Sequence, residues 1–227
     1  MTSIADNISS VIEQIQEFER KYQRGSGAVV LLAVSKQQDV ASIRLAYAAG
    51  LKNFGENYLQ EAEPKIQALR ELDICWHFIG PIQTNKTRGI ATHFSWVHSV
   101  DREKVARRLS EQRDPALGPL NVCVQVNLSL EASKSGVELA ECRHLCELVS
   151  TLPNLRLRGL MAIPAPSNQL AAQRAGFRRL AAEYHLLAQR YPTLDTLSMG
   201  MSNDFEAAIA EGTTLVRIGS ALFGARH

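Results

Sequence analysis

Apolar residues recur along this chain in two alternating rhythms, one suited to helices and one to strands. Ile4, Ile8, Val11, Ile15, Phe18 and Tyr22 are spaced by four and three residues, which predicts an amphipathic helix ending near Arg24-Gly25-Ser26-Gly27. After it, short β-branched or apolar runs alternate with longer helical patterns. Val29–Ser35 precedes a helix through Ala49, Lys52–Gly55 one through Arg70, and Ile74–Ile79 one over Thr84–Thr92. Ser95–Val100 pairs with Arg102–Gln112, Leu120–Asn127 with Val137–Ser150, and Arg156–Ala162 with Leu170–Tyr191. Asp195–Met199 leads into Asn203–Glu211, and Thr214–Ile218 into a short helix at Ser220–Gly224, which completes eight units.

Alternating strands and helices call for a parallel sheet with right-handed crossovers. Eight units in 227 residues predict an α/β chain folded as a single (β/α)8 TIM barrel over residues 1–227, with residues 1–24 as an extra N-terminal helix packed on it. The doubly wound open sheet is the rival. That fold carries its glycine-rich fingerprint after the first strand, whereas here the first strand runs into Ser35-Lys36-Gln37-Gln38-Asp39. The barrel is the better match.

Composition narrows the function. A hydrophobic content of 45% supports one large core, and a net charge of +2 with basic and acidic residues interspersed argues against a nucleic-acid footprint. The longest wholly apolar run, Ala28–Val34, is far too short to span a bilayer, and the N-terminus has no signal-peptide pattern, so the expectation is a cytoplasmic protein that acts on small molecules. Cys75, Cys123, Cys142 and Cys146 lack metal-finger spacing and are read as reduced thiols. Cys142 and Cys146 share a helix face from which His144 points away, so no metal is expected.

The densest chemical signal lies near the C-terminus. Ser198-Met-Gly-Met-Ser202-Asn and Val216-Arg217-Ile-Gly219-Ser220 each run from a short apolar strand through a Gly/Ser turn into a helical pattern. Two such turns side by side offer backbone N–H groups, hydroxyls and two helix N-termini to a small dianion. A lone serine of this kind reads as a helix N-cap, but two in adjacent units beside Arg217 favour a phosphate cradle. Lys36 continues the face Val30, Leu32, Val34, which places its amine at the strand's carboxyl end, the active mouth of a barrel. An amine partly withdrawn from water there can condense with an aldehyde to a Schiff base, although a lysine at a strand end can also simply reach solvent. Together the cradle and the lysine define a pyridoxal phosphate site. Arg217 faces inward and needs a partner, either the pyridine nitrogen or a carboxylate. Asn57 is the expected cofactor contact on the second loop, and Lys134 a possible second amine. His77 and His98 lie within strands and read as core residues.

These motifs occur in a familiar order: Ala33-Val-Ser-Lys36, Phe54-Gly-Glu-Asn57, Trp76-His-Phe-Ile-Gly80, Glu131-Ala-Ser-Lys-Ser-Gly136, Leu160-Met-Ala-Ile-Pro164 and the closing turns. In that order they resemble the pyridoxal phosphate homeostasis protein family over nearly the whole chain. The resemblance implies a fold-type III barrel, similar to the N-terminal domain of alanine racemase, with pyridoxal 5′-phosphate on Lys36 and no established turnover. It further implies phosphate contacts at Ser202, Gly219 and Ser220, and a ring-nitrogen contact from Arg217. Gln37-Gln38-Asp39 departs from a frequent Thr and Lys, and Leu130 from a frequent Gly.

The expected function is therefore to hold the cofactor and to buffer or deliver it in vitamin B6 homeostasis, with pyridoxal phosphate-dependent apoenzymes as recipients. The alternatives are an amino-acid racemase, whose second base would come from a further domain for which no sequence follows His227, and a cofactor-free Schiff-base aldolase. A monomer is expected, because no long apolar stripe is left outside the barrel pattern.

Overall fold

In the computed structural model, which describes residues 3–128 and 135–224, eight parallel strands close into a barrel in sequential order. The strands are β1 Val30–Val34, β2 Asn53–Glu56, β3 Cys75–Phe78, β4 Trp96–Val100, β5 Leu120–Val126, β6 Leu155–Ala162, β7 Thr196–Ser198 and β8 Leu215–Ile218. Closure is made by β8 against β1, with Val30 opposite Leu215 and Ala33 opposite Ile218. The helices are α1 Ile4–Lys21, α2 Val40–Ala48, α3 Leu59–Ala68, α4 Thr87–His93, α5 Glu103–Gln112, α6 Leu139–Thr151, α7 Leu170–Arg190, α8 Phe205–Ala210 and α9 Ser220–Phe223. All eight expected units are present, with ends displaced by one or two residues. The expected helix at 84–92 begins as a 3-10 turn over Thr84–Lys86.

The main core lies between the strands and the helical layer. Phe54, Phe94, Phe177, Ile43 and Leu109 are completely buried there. β5 is buried along nearly its whole length, as a parallel strand covered on both faces requires. Between β6 and β7 the backbones approach so closely that a Cβ on Gly159 would stand 1.6 Å from the Thr196 carbonyl oxygen, which is why no side chain fits there.

α1 does more than cover the barrel. Its capping box joins Ser3 and Asp6, and its buried stripe of Ile8, Val11 and Ile15 packs inward. Asn7 Nδ2 donates to the Leu222 carbonyl of α9 at 3.0 Å, and Tyr22 Oη donates to Glu206 of α8 at 3.0 Å. Arg24, just past α1, donates to the carbonyls of Ile209 and Thr213, each at 3.1 Å. The N-terminal helix thus braces the two short helices that follow the last two strands. No described helix is long and apolar enough to cross a membrane.

Candidate functional site

At the carboxyl ends of the strands lies a cavity of about 340 Å³ lined by Lys36, Asn57, Ser202, Arg217, Gly219 and Ser220 among others. All six residues singled out from the sequence therefore meet in one place. Lys134, Glu131 and Leu130 lie outside the described residues.

The two C-terminal turns stand side by side, with the Ser220 and Ser202 hydroxyl oxygens 3.3 Å apart. Neither serine caps a helix by its side chain. Asp204 occupies the N-cap position of α8 and Gly219 that of α9, so the hydroxyls, with Ser220 donating to Ser202, line the cavity. Both expected helix N-termini are present, but α8 has six residues and α9 four, too few to align many peptide units. What the turns provide instead is local: the N–H groups of Ser202, Asn203, Ser220 and Ala221 have no hydrogen-bond partner among the described residues. Gly219 lies against β1, where a Cβ would come within 3.3 Å of Val34. Bare backbone donors, two hydroxyls and a glycine wall form a cradle that fits a phosphate.

Arg217 projects from β8 into the barrel and is 4% exposed. Its Nη1 donates to both the carbonyl oxygen and the hydroxyl of Ser198, each at 2.7 Å, and Nη2 donates to the Ala162 carbonyl at 2.9 Å. A hydrogen-bonded carboxylate is not among its described partners, which removes that reading from the sequence. Burial pushes the guanidinium down to about 10, partly offset by Asp204 nearby, so it stays charged at neutral pH. Nε–H makes no hydrogen bond to a described residue, which leaves a donor for a ring acceptor in the cavity.

Lys36 is displaced from its expected place in a strand. β1 ends at Val34, and Lys36 sits half-buried in the following turn. Gln37 adopts φ +62°, a conformation that costs about 1 kcal/mol or more outside glycine and asparagine. A buried ion network that the sequence reading missed holds this turn from behind. Lys65 Nζ donates to the Ser35 carbonyl at 2.8 Å, to Glu56 at 2.9 Å and to Glu61 at 2.6 Å, using its three hydrogens. The Ser35 hydroxyl donates to the same Glu56 oxygen at 2.7 Å, and the Gln37 N–H donates to Glu61. Residues on both sides of Lys36 are thereby fixed. Burial raises the Glu56 carboxyl, opposed by Ser35 and Lys65, and its Oε2 has no partner among the described residues.

Asn57 follows β2 and presents a buried Oδ1 without a partner among the described residues. Its backbone is held close to the third loop because Gly80 has no Cβ; one would stand 2.0 Å from the Asn57 carbonyl oxygen. Elsewhere, Cys142 and Cys146 are buried with sulfurs 4.0 Å apart, and His144 instead meets Glu103 at 2.9 Å. Among the described residues, no cluster of His, Cys, Asp and Glu could hold a metal ion.

A closed parallel barrel with a lysine after the first strand and paired Gly/Ser turns after the last two is the architecture of the alanine racemase-like class of barrel. The family model described as alanine racemase, N-terminal domain, matches residues 7–227. The pyridoxal phosphate homeostasis protein of Pseudomonas aeruginosa is 60% identical over 226 residues, covering 100% of this chain and 97% of that protein. This chain belongs to the pyridoxal phosphate homeostasis protein family. PipY of Synechococcus elongatus PCC7942, solved without pyridoxal phosphate, superposes with a TM-score of 0.87 at 38% identity, covering 98% of this chain and 100% of that one. The same protein has also been solved with pyridoxal phosphate bound, with a TM-score of 0.83, 36% identity and the same coverage of 98% and 100%. Alanine racemase of Corynebacterium glutamicum shares the fold, with a TM-score of 0.68 at 19% identity over 98% of this chain and 61% of that one.

Proposed function

We propose that this chain binds pyridoxal 5′-phosphate as a Schiff base on Lys36 and buffers or delivers it within the cytoplasm, without catalytic turnover of its own. The observation that carries this reading is the convergence of Lys36, Arg217 and the Ser202/Ser220 turns on one cavity, with donors on the arginine and both turns unspent. The binding of pyridoxal phosphate by PipY supports it. When bound, the cofactor supplies an aldehyde that condenses with an amine, releasing water, and a pyridine ring able to withdraw electrons when its nitrogen is protonated. Ser202, Ser220 and the adjacent N–H groups take the phosphate, and Lys36 supplies the amine. Arg217, being charged, can only donate a hydrogen bond and so favours an unprotonated acceptor opposite it. Asn57 closes the second loop over the same cavity. The recipients are pyridoxal phosphate-dependent apoenzymes, and the acting unit is a monomer.

Turnover needs a second acid or base across the cavity from the lysine. Among the described lining residues, Asp204 is the remaining carboxylate, and it is occupied in accepting the Met201 N–H at 2.6 Å. Borohydride reduction of protein loaded with pyridoxal phosphate, followed by peptide mass mapping, is expected to place the label on Lys36. Label chiefly on Lys86 or Lys134 would overturn the assignment. In the same preparation, α-deuterium exchange into L- and D-alanine should stay at the level of Lys36→Ala. Lys36-dependent racemisation on the order of 1 per second or faster would establish the racemase instead.

A further inference from the structure

Arg217 is one end of a hydrogen-bond chain that runs through the barrel to its opposite mouth. Ser198 Oγ accepts from Arg217 Nη1 at 2.7 Å and lies 2.9 Å from His98 Nδ1. His98 Nε2 lies 2.9 Å from His77 Nδ1, and His77 Nε2 lies 3.1 Å from Asn53 Oδ1. Chemistry fixes the direction of every link. A guanidinium only donates, so the single hydroxyl hydrogen of Ser198 is free to point at His98. Asn53 Oδ1 can only accept, so His77 Nε2 carries its ring's proton; with both rings neutral, His77 Nδ1 then accepts from His98 Nε2, and His98 Nδ1 accepts the Ser198 hydroxyl hydrogen. Asn53 presents the carbonyl oxygen that this direction requires.

The links from Arg217 through His98 to His77 Nδ1 are shielded from water, and the last one, to Asn53, is part-buried at the amino-end mouth. Ser198 and His98 are 0% exposed and His77 is 2% exposed. Burial pushes His77 down to about 3 and lowers His98 well below its ordinary value, with His77 and the Arg217 charge adding to the effect on His98. A second proton on either ring would turn an acceptor into a donor and leave two donors face to face. Of the charged groups beside the chain's amino-end links, Arg158 is already engaged with Asp195. The chain therefore has one stable arrangement, with every hydrogen pointing away from Arg217.

We propose that His98 and His77 are positioning residues for Arg217: by taking the Ser198 hydroxyl hydrogen, they keep that oxygen an acceptor and anchor the guanidinium, so that its remaining donors face an unprotonated ring nitrogen. The proposal rests on the reading of the cavity as a pyridoxal phosphate site. Two measurements separate the failure of one from the failure of the other.

The first needs no cofactor. Nitrogen-15 NMR of histidine-labelled protein should show His77 and His98 as neutral Nε2–H tautomers, unchanged between about pH 8 and pH 5.5. An Nδ1–H tautomer, or titration of either ring in that window, would overturn the chain. The second uses pyridoxal phosphate labelled at the ring nitrogen. In the unaltered protein the signal should be that of an unprotonated, hydrogen-bonded pyridine nitrogen. His98→Leu should move or broaden it and speed cofactor release by about tenfold. His98→Gln, which keeps an acceptor and a donor, should restore both. Ser198→Ala should reproduce the His98→Leu signal if that variant does not fold. A wild-type ring signal and wild-type release rate in a folded His98→Leu or Ser198→Ala protein would show that the histidines only fill the core. Failure of the unaltered protein to bind pyridoxal phosphate, with the tautomers as expected, would sink the cofactor reading while the chain stands.

Discussion

The two mouths of this barrel hold cavities of similar size and opposite character. The one at the carboxyl ends of the strands measures about 340 Å³, and the one at the amino ends about 370 Å³, lined by Asn53, Trp96, Arg158, Asp195 and Thr214 among others. In the latter the conspicuous charges are matched. Arg158 Nε donates to Asp195 at 2.9 Å, Nη2 donates to the same carboxylate, and Nη1 donates to Asn121 at 2.8 Å. The guanidinium also lies 4.5 Å from the Trp96 ring centre. At the carboxyl end, four backbone donors and Arg217 Nε–H have no partner among the described residues. Volume does not distinguish the mouths; unspent hydrogen-bonding capacity does, because a folded chain leaves polar groups unpaired chiefly where a ligand or water completes them.

The comparison can be strained hardest at the network behind Lys36. Lys65→Met removes the cation that balances buried Glu56 and releases the Ser35 carbonyl. Breaking a buried pair from one side costs roughly 3–5 kcal/mol. Urea unfolding should show a loss of that order, and the double variant with Glu56→Gln should recover part of it by removing the unpaired charge. Because Ser35 and Gln37 flank Lys36, borohydride trapping of pyridoxal phosphate by Lys65→Met should also slow. A loss below about 1 kcal/mol together with unchanged trapping would mean that the carboxyl mouth does not depend on this network.

The cradle comes next in size. Each of Ser202→Ala and Ser220→Ala removes a hydroxyl that can bond a charged phosphate, a contact worth roughly 1.5–3 kcal/mol. The double variant should retain pyridoxal phosphate more weakly than either single one, while pyridoxal, which lacks the phosphate, should bind all of these proteins about equally and poorly. Since neither serine caps its helix, stability to urea should change little. Equal loss of both ligands would point to collapse of the turns instead of a lost phosphate contact.

How much of this was legible in the sequence follows from which interactions are local. The period of the apolar residues reports which faces are buried, so all eight strand-plus-helix units could be read, with errors confined to their ends. Lys36, Asn57, Ser202, Arg217, Gly219 and Ser220 could be placed at one mouth because each sits at or just beyond the carboxyl end of a strand. The barrel's closure supplies the rest. Three features stayed hidden because they depend on register and separation. Lys65 meets Ser35 across 30 residues, and His98 meets Ser198 across 100. α1 looked like a cover, and only its contacts to Leu222, Glu206 and Ile209 reveal a brace for the cradle. One signal for the axial chain was present: His77 and His98 are polar residues on strands otherwise rich in apolar ones, and a buried polar residue needs a partner.

The smallest expected effect is the most direct control on the difference between the mouths. Arg158→Met removes the guanidinium from the amino-end cavity while keeping an unbranched chain to lie against Trp96. Asp195 is 54% exposed, so water can solvate it once its partner is gone, and an exposed pair of this kind is worth about 0–1 kcal/mol. Asn121 also loses a donor but remains partly exposed and can turn to solvent. Stability should therefore fall by no more than about 1 kcal/mol. Pyridoxal phosphate binding should be unchanged, because Arg158 is no link in the chain from Arg217 to Asn53 and its cavity lies at the other end of the barrel. The check is a pair of titrations, urea against stability and pyridoxal phosphate against absorbance, run beside Ser220→Ala. If Arg158→Met weakened retention of the phosphate as much as Ser220→Ala does, the amino-end cavity would belong to the same site, and spent hydrogen-bonding capacity would no longer mark a structural mouth.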